Sequence, residues 1–223
     1  MSERPQITVT LYIDVISSWC FWAYPVWAEL QSGYRDRVSF SWKVALMDES
    51  GMPKSHAQME WFYRRSGMMM RSPFMLKSQW HEAGKTEYLA PNAVTEAARG
   101  LGVQDDSVWL ALAQAGLREG RKTGRWEVAA EVGARASGLP EATLLERAQS
   151  EEIERHIRDT TAEFHKLQVT QRPTFVIDST IGDRALFSGF AVLAPLAATL
   201  DAMLDDAVAY EAHAAHFGSP PEA

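Results

Sequence analysis

A single cysteine limits the chemistry open to this chain of 223 residues. Cys20 stands three residues after Ser17 in the run Asp14-Val15-Ile16-Ser17-Ser18-Trp19-Cys20-Phe21, where a strand-like segment gives way to a helical one. Three residues make about one helical turn, so the hydroxyl and the thiol fall on one side of the helix start. One thiol forms no intramolecular disulfide, no zinc site of several thiolates and no self-contained dithiol cycle. If Cys20 reacts, it forms a mixed disulfide with another molecule's thiol; if it is buried, it packs as a small hydrophobe. Ser17 or Ser18 can cap the helix, worth about 1 kcal/mol. A helix dipole worth about 0.3–2 kcal/mol moves a pKa by little more than about one unit. Neither hydroxyl therefore becomes an alkoxide at neutral pH, and a serine here acts as a hydrogen-bond donor.

Two other stretches carry chemistry. Arg172-Pro173-Thr174-Phe175-Val176-Ile177 sets a cation and a proline just before a β-branched run. Met59 to Trp80 holds five methionines and five aromatic residues, which suits a pliable apolar pocket or the core beneath a helical layer. The histidines (His56, His81, His156, His165, His213, His216) show no pairing with acids that marks a catalytic base. The His213/His216 spacing lies close to a tail expected to fray, so no metal site is expected.

The elements that must position these residues can be read from periodicity. Ile7 to Val15 is β-branched and aromatic and reads as a buried strand. Cys20 to Gln31 has helical spacing, and Pro25 should kink that helix or lie near its first turns. Val38 to Met47 alternates, giving a βαβ opening with parallel strands. From about His56 to Gln168 the pattern is helical, with segments Asn92 to Leu101, Asp105 to Glu119, Trp126 to Ser137 and Glu141 to Leu167. Breaks fall at Gly102, Gly124 and Gly138-Leu139-Pro140, with Asp105 and Asp106 as N-caps. Thr174 to Asp178 and Ala185 to Ser188 read as short strands about a turn at Gly182-Asp183. A last helix spans roughly Leu193 to Ala212, before a frayed tail from Phe217 to Ala223. The order βαβ, a long all-helical insertion, then ββα predicts an α/β thioredoxin fold. Residues 1–50 with 169–223 form its thioredoxin-like domain and 51–168 its helical insertion domain.

The formal net charge is −7 and no Lys/Arg block stands out, so capture of nucleic acid or anionic membrane is not expected. The longest nearly apolar run, Phe190 to Leu200 with Pro195 inside it, is well short of the roughly 20 residues that span a bilayer. Met1 to Gln6 is polar and lacks a signal-peptide pattern. With the lone cysteine, this start predicts a cytoplasmic, reducing setting.

Together the Ser17-to-Cys20 motif, the Arg172-Pro173 motif and the element order resemble the DSBA-like branch of the thioredoxin superfamily. That branch includes disulfide oxidases, FrnE-type dithiol isomerases, 2-hydroxychromene-2-carboxylate isomerase and kappa-class glutathione transferase. The resemblance covers most of the chain. It implies a cis peptide bond at Pro173 facing the active helix, with Ser17 where disulfide oxidases carry their attacking cysteine. The isomerase and the kappa transferase carry serine there, thought to hydrogen-bond the thiolate of bound glutathione. Two departures stand out. Those relatives have proline after the serine, where this chain has Ser18. They also have an aspartate pair motif after the fourth strand, absent from Phe187-Ser188-Gly189-Phe190-Ala191.

The resemblance thus implies a thiol-dependent enzyme with Ser17 and Cys20 as catalytic residues and glutathione as its cofactor. Ser18, Trp19, Arg172, Pro173 and Thr174 would hold the thiol compound, with Arg172 a cation beside its thiolate and its backbone pairing with the ligand's. The substrate would be a small-molecule thiol, a protein thiol or a hydrophobic compound, and the chain a homodimer. The reaction stays open between oxidoreduction and a glutathione-dependent isomerisation or transfer. A thioredoxin-like peptide-binding module without catalysis is a third reading.

Overall fold

A computed structural model describes residues 6–189 and 192–218. Met1 to Pro5, Phe190, Ala191 and the end of the expected tail (219–223) lie outside the described residues. Strand β1 (Ile7–Ile13) is central, and a helix α1 (Ser18–Tyr34) leads to β2 (Val38–Val44), which pairs with it in parallel. Helices α2 (His56–Met69), α3 (Leu89–Gly100), α4 (Ser107–Ala113), α5 (Trp126–Ser137), α6 (Glu141–Ala148) and α7 (Glu151–Lys166) follow. Strands β3 (Thr174–Ser179) and β4 (Arg184–Ser188) and helix α8 (Leu193–Phe217) close the chain. The sheet order is β2-β1-β3-β4, with β3 antiparallel to both neighbours. This is the thioredoxin-like fold with a helical insertion.

Alternation along β1 explains the layers. Ile7, Val9, Leu11 and Ile13 join the main core with Trp27 of α1, Phe175 of β3 and Leu196 and Leu200 of α8. Tyr12 points the other way, into a smaller cluster with Ala45, Phe164 of α7 and Val176. Core residues of the insertion, from Tyr88 through Val94, Trp109 and Leu144, belong to the same main cluster as the sheet. Gly138 ends α5 with φ at 73°, a left-handed conformation that glycine adopts without a Cβ penalty.

Several boundaries differ from the sequence reading for identifiable reasons. Strand β1 stops at Ile13 because Asp14 turns the chain, with Ser17 N–H donating to Asp14 O at 3.0 Å. Pro25 lies mid-helix in α1, which runs on to Tyr34. Glu141 to Leu167 is two helices, since Ser150 caps α7 by accepting the Ile153 N–H. Asp106 occupies the N-cap position of α4, but its carboxylate accepts the indole N–H groups of Trp27 (2.9 Å) and Trp109 (3.1 Å). The helix of α4 widens into a π turn over Gln114–Arg118. The last helix is longer than expected, extending through Phe217.

Candidate active site

Where β1 ends, Asp14 is fully buried and both carboxylate oxygens are used. Oδ1 accepts Ile16 N–H at 3.0 Å and Oδ2 accepts Met47 N–H at 2.9 Å. Burial pushes its pKa above the usual carboxylate range. Asn92 of α3 accepts the Val15 N–H at 3.0 Å and donates to Tyr88 O at 3.0 Å. The turn that launches α1 is therefore held from β1 and from the insertion at once. Ser17 follows as N-cap, its Oγ accepting Cys20 N–H at 3.4 Å, so the capping use of Ser17 is realised.

Ser17 and Cys20 part company in their surroundings. Ser17, although only 6% exposed, lines a cavity of about 470 Å³ together with Ser18 and Trp19. Cys20 is 2% exposed and lies behind that wall, packed in the main core. Burial pushes its thiol up to about 12, only partly offset by the hydrogen bond from Ser17. The thiol is thus protonated at neutral pH, while the thiolate is the reactive form of cysteine.

Arg172 is neither a solvated cation nor free to pair with a ligand through its side chain. Its Nε donates to Ala45 O at 2.6 Å, Nη2 to Leu46 O and Nη1 to Thr170 O at 3.1 Å. The guanidinium also stacks 4.3 Å above the Phe164 ring, and burial lowers its pKa. With Asp14 it grips one segment from two sides: the cation holds the carbonyls of Ala45 and Leu46, the carboxylate the amide of Met47. The Arg172–Pro173 bond is cis. Arg172 reaches the cavity with Thr170 and Gln171. Pro173 and Thr174 are buried off its wall; Thr174 Oγ1 donates to Gln171 O at 2.7 Å.

The remaining wall draws Phe62, Tyr63, Arg65 and Trp80 from the Met59 to Trp80 run read as a pocket or a core, together with residues after β2 that sequence reasoning did not single out. Met47, Asp48, Ser50, Gly51 and Pro53 follow β2, Phe62, Tyr63 and Arg65 come from α2, and Ile16, Trp80 and His165 complete it. Ser50 N–H and Oγ and Gly51 N–H bond Asp48, which holds its carboxyl below the usual range. A carboxylate at the end of the apolar run Ile7–Ile13 was the available signal for Asp14. Nothing local marks Asn92 or Asp48.

No group of three or more histidine, cysteine or acidic side chains that could hold a metal ion occurs among the described residues. No helix among them is long and apolar enough to cross a membrane.

Residues 8–201 match the family model of the DSBA-like thioredoxin domain. Solved structures of similar fold include a candidate protein disulfide isomerase from Nitrosomonas europaea, 16% identical, with a TM-score of 0.74 over 90% of this chain and 98% of that one. The cytosolic disulfide reductase DsbM of Pseudomonas aeruginosa, in a structure with glutathione, is 17% identical, with a TM-score of 0.69 over 89% of this chain and 99% of that one. A 2-hydroxychromene-2-carboxylate isomerase is 12% identical, with a TM-score of 0.61 over 92% of this chain and 98% of that one. No curated protein matches the chain in sequence. The chain belongs to the DSBA-like thioredoxin domain family.

Proposed function

We propose that this member of the DSBA-like thioredoxin domain family is a glutathione-linked thiol enzyme whose reactive sulfur arrives with the ligand. One observation carries the reading: Ser17 faces the cavity while Cys20, the sole cysteine, is buried behind it with its thiol pushed up to about 12. A chain without an accessible thiolate needs one supplied, and bound glutathione supplies a nucleophilic sulfur. Ser17 donates its hydroxyl to that sulfur, and the unpaired amides at the start of α1 favour its ionised form. Main-chain groups at Gln171 and Arg172 take the peptide part of the ligand. Arg172's guanidinium acts from behind, by fixing the wall at Ala45 to Met47 and adding positive charge. Cys20 serves as packing beneath Ser17.

The cavity volume of about 470 Å³ lies within the range usual for small-ligand sites, roughly 300–1,000 Å³. Glutathione bound to DsbM, a protein of similar fold, supports the ligand class. Likeness to the isomerase, with an active-site chain thiol that cannot cycle, favours addition or transfer over dithiol exchange. The protein would act in a reducing, cytoplasmic setting, where glutathione is reduced.

Calorimetric titration of glutathione into the wild type, Ser17→Ala and Cys20→Ala tests this. Glutathione is expected to bind the wild type and Cys20→Ala alike. Ser17→Ala should weaken binding about tenfold, the worth of a hydrogen bond to a charged group, and reduce the ultraviolet thiolate absorbance of the bound ligand at neutral pH. A wild type that binds no glutathione, or a Cys20→Ala variant that loses it, overturns the reading.

A further inference from the structure

Helix α2 has two faces of opposite use. Its inner side buries Met59, Tyr63, Ser66 and Gly67. Its outer side presents Trp61, Arg64, Arg65, Met68 and Met69, all exposed. The spacing i, i+3, i+4, i+7 and i+8 sets these five on one stripe. Trp61, Met68 and Met69 are 57%, 80% and 66% exposed. The turn after the helix adds exposed Arg71 and Met75, the latter 53% exposed with its Sδ 3.7 Å from the position of a Cβ at Gly67.

The patch is charged as well as apolar. Arg64, Arg65 and Arg71 form no ion pair among the described residues. They stand together on a chain whose net charge is −7, so this face runs against the general sign. The patch is also continuous with the cavity. The Arg65 guanidinium sits 5.2 Å from both the Trp61 and Phe62 rings, and Phe62 and Arg65 line the cavity wall.

We propose that this outer face of α2, with the Arg71–Met75 turn, docks an acidic and apolar stretch of a partner polypeptide and leads it toward the cavity. Unpaired guanidinia select carboxylates, and complementary charge governs encounter and partner choice. Exposed methionines adapt to varied apolar side chains, and tryptophan and arginine are enriched among the few residues that carry most of the binding energy at interfaces. A ligand held wholly inside the cavity meets Arg65 but not Trp61, Arg64, Met68, Met69 or Arg71.

The docking surface stands apart from the glutathione reading, and separate measurements test the two. A fluorescently labelled short peptide of leucine, phenylalanine and glutamate is titrated against the wild type by anisotropy. A second peptide carries lysine for each glutamate, and a third serine for each apolar residue. The first should bind about tenfold or more tightly than either control, a preference of about 1.4 kcal/mol. The double variant Arg64→Glu with Met68→Ser should weaken it by about tenfold or more, while calorimetry finds glutathione binding unchanged. Both substitutions are on exposed helix surface, and circular dichroism checks that the variant folds. Equal binding of the glutamate and lysine peptides, binding undiminished in the double variant, or no binding to the wild type overturns the proposal. Weakened glutathione binding in Ser17→Ala with peptide docking intact separates the two readings.

Discussion

The two walls of the cavity are built on different physics. On the sheet side, main-chain groups of Val15, Ile16, Ala45, Leu46, Met47 and Thr170 are each tied to a side chain of Asn92, Asp14 or Arg172. On the α2 side polar ties are few: Trp80 Nε1 donates to Tyr63 Oη at 2.8 Å and Trp22 Nε1 to Ser66 Oγ at 3.3 Å. Much of the remaining contact is ring against ring, as in Trp22–Phe74 at 5.3 Å and Trp80–Tyr88 at 4.9 Å. Hydrogen bonds weaken steeply when bent or stretched, whereas apolar burial is non-directional. The sheet wall thus holds Ser17 in one position, and the α2 wall can adjust to what enters. A fixed donor opposite an adaptable surface suits a site with one constant ligand and one variable partner.

Breaking the rigid wall should have the largest effect. Arg172→Met keeps the stacking on Phe164 partly filled but removes the donor from the Ala45, Leu46 and Thr170 carbonyls. Leaving a buried acceptor unpaired costs about 1–3 kcal/mol each. The Ala45 and Leu46 acceptors are buried whereas Thr170 is exposed, so urea unfolding should show a loss of at least about 2 kcal/mol, with glutathione affinity lost alongside. A loss below about 1 kcal/mol would mean that water replaces the guanidinium and that this wall is not the fixed one. The adaptable wall should respond less. Trp80→Phe removes the donor to Tyr63 while keeping a ring, so stability should fall by about 1 kcal/mol and glutathione affinity should stay within about twofold, under 0.5 kcal/mol. If Trp80→Phe abolished glutathione binding, the contrast between the walls would fail.

The same contrast explains what could be read from the sequence. Apolar periodicity carried the strands and most helices, because alternating Ile7, Val9, Leu11 and Ile13 must face one core. The Ser17 and Arg172 motifs were legible because they sit at the ends of those elements. Arg172's role was not. Sequence shows a cation before a proline, but which carbonyls it reaches depends on the end of β2, some 126 residues away. Asn92 was hidden for the same reason, since its bond to Val15 spans 77 residues. The helix break at Ser150 was legible in principle, from a serine followed by acidic Glu151 and Glu152, but the continuous helical period on either side masked it. Long-range polar ties leave no periodic trace.

The smallest expected effect lies between the α2 wall and the start of α3. His81 is buried between Trp80 and Tyr88, with the His56 ring 5.5 Å away and Lys122 Nζ bonded to its carbonyl at 3.0 Å. Burial, with His56 and Lys122 beside it, pushes its pKa below the ordinary imidazole value; the Pro53 carbonyl and Glu82 oppose this without reversing it. Its Nδ1 has no hydrogen-bond partner among the described residues. The unfolded chain therefore takes up a proton near pH ~6.5 that the folded chain refuses. Stability contributed by neutral His81 is present above that pH and is lost as pH falls toward the depressed folded value. The slope cannot exceed about 1.4 kcal/mol per pH unit for one group. Urea unfolding of the wild type and His81→Phe should show a constant stability difference above about pH 7.5, shifting in favour of the variant at about pH 5.5. A difference that stays flat across this window would show that His81 accepts its proton in the folded state. The α2 wall would then tolerate a buried charge, and its contrast with the tied sheet wall would be one of hydrogen-bond number alone.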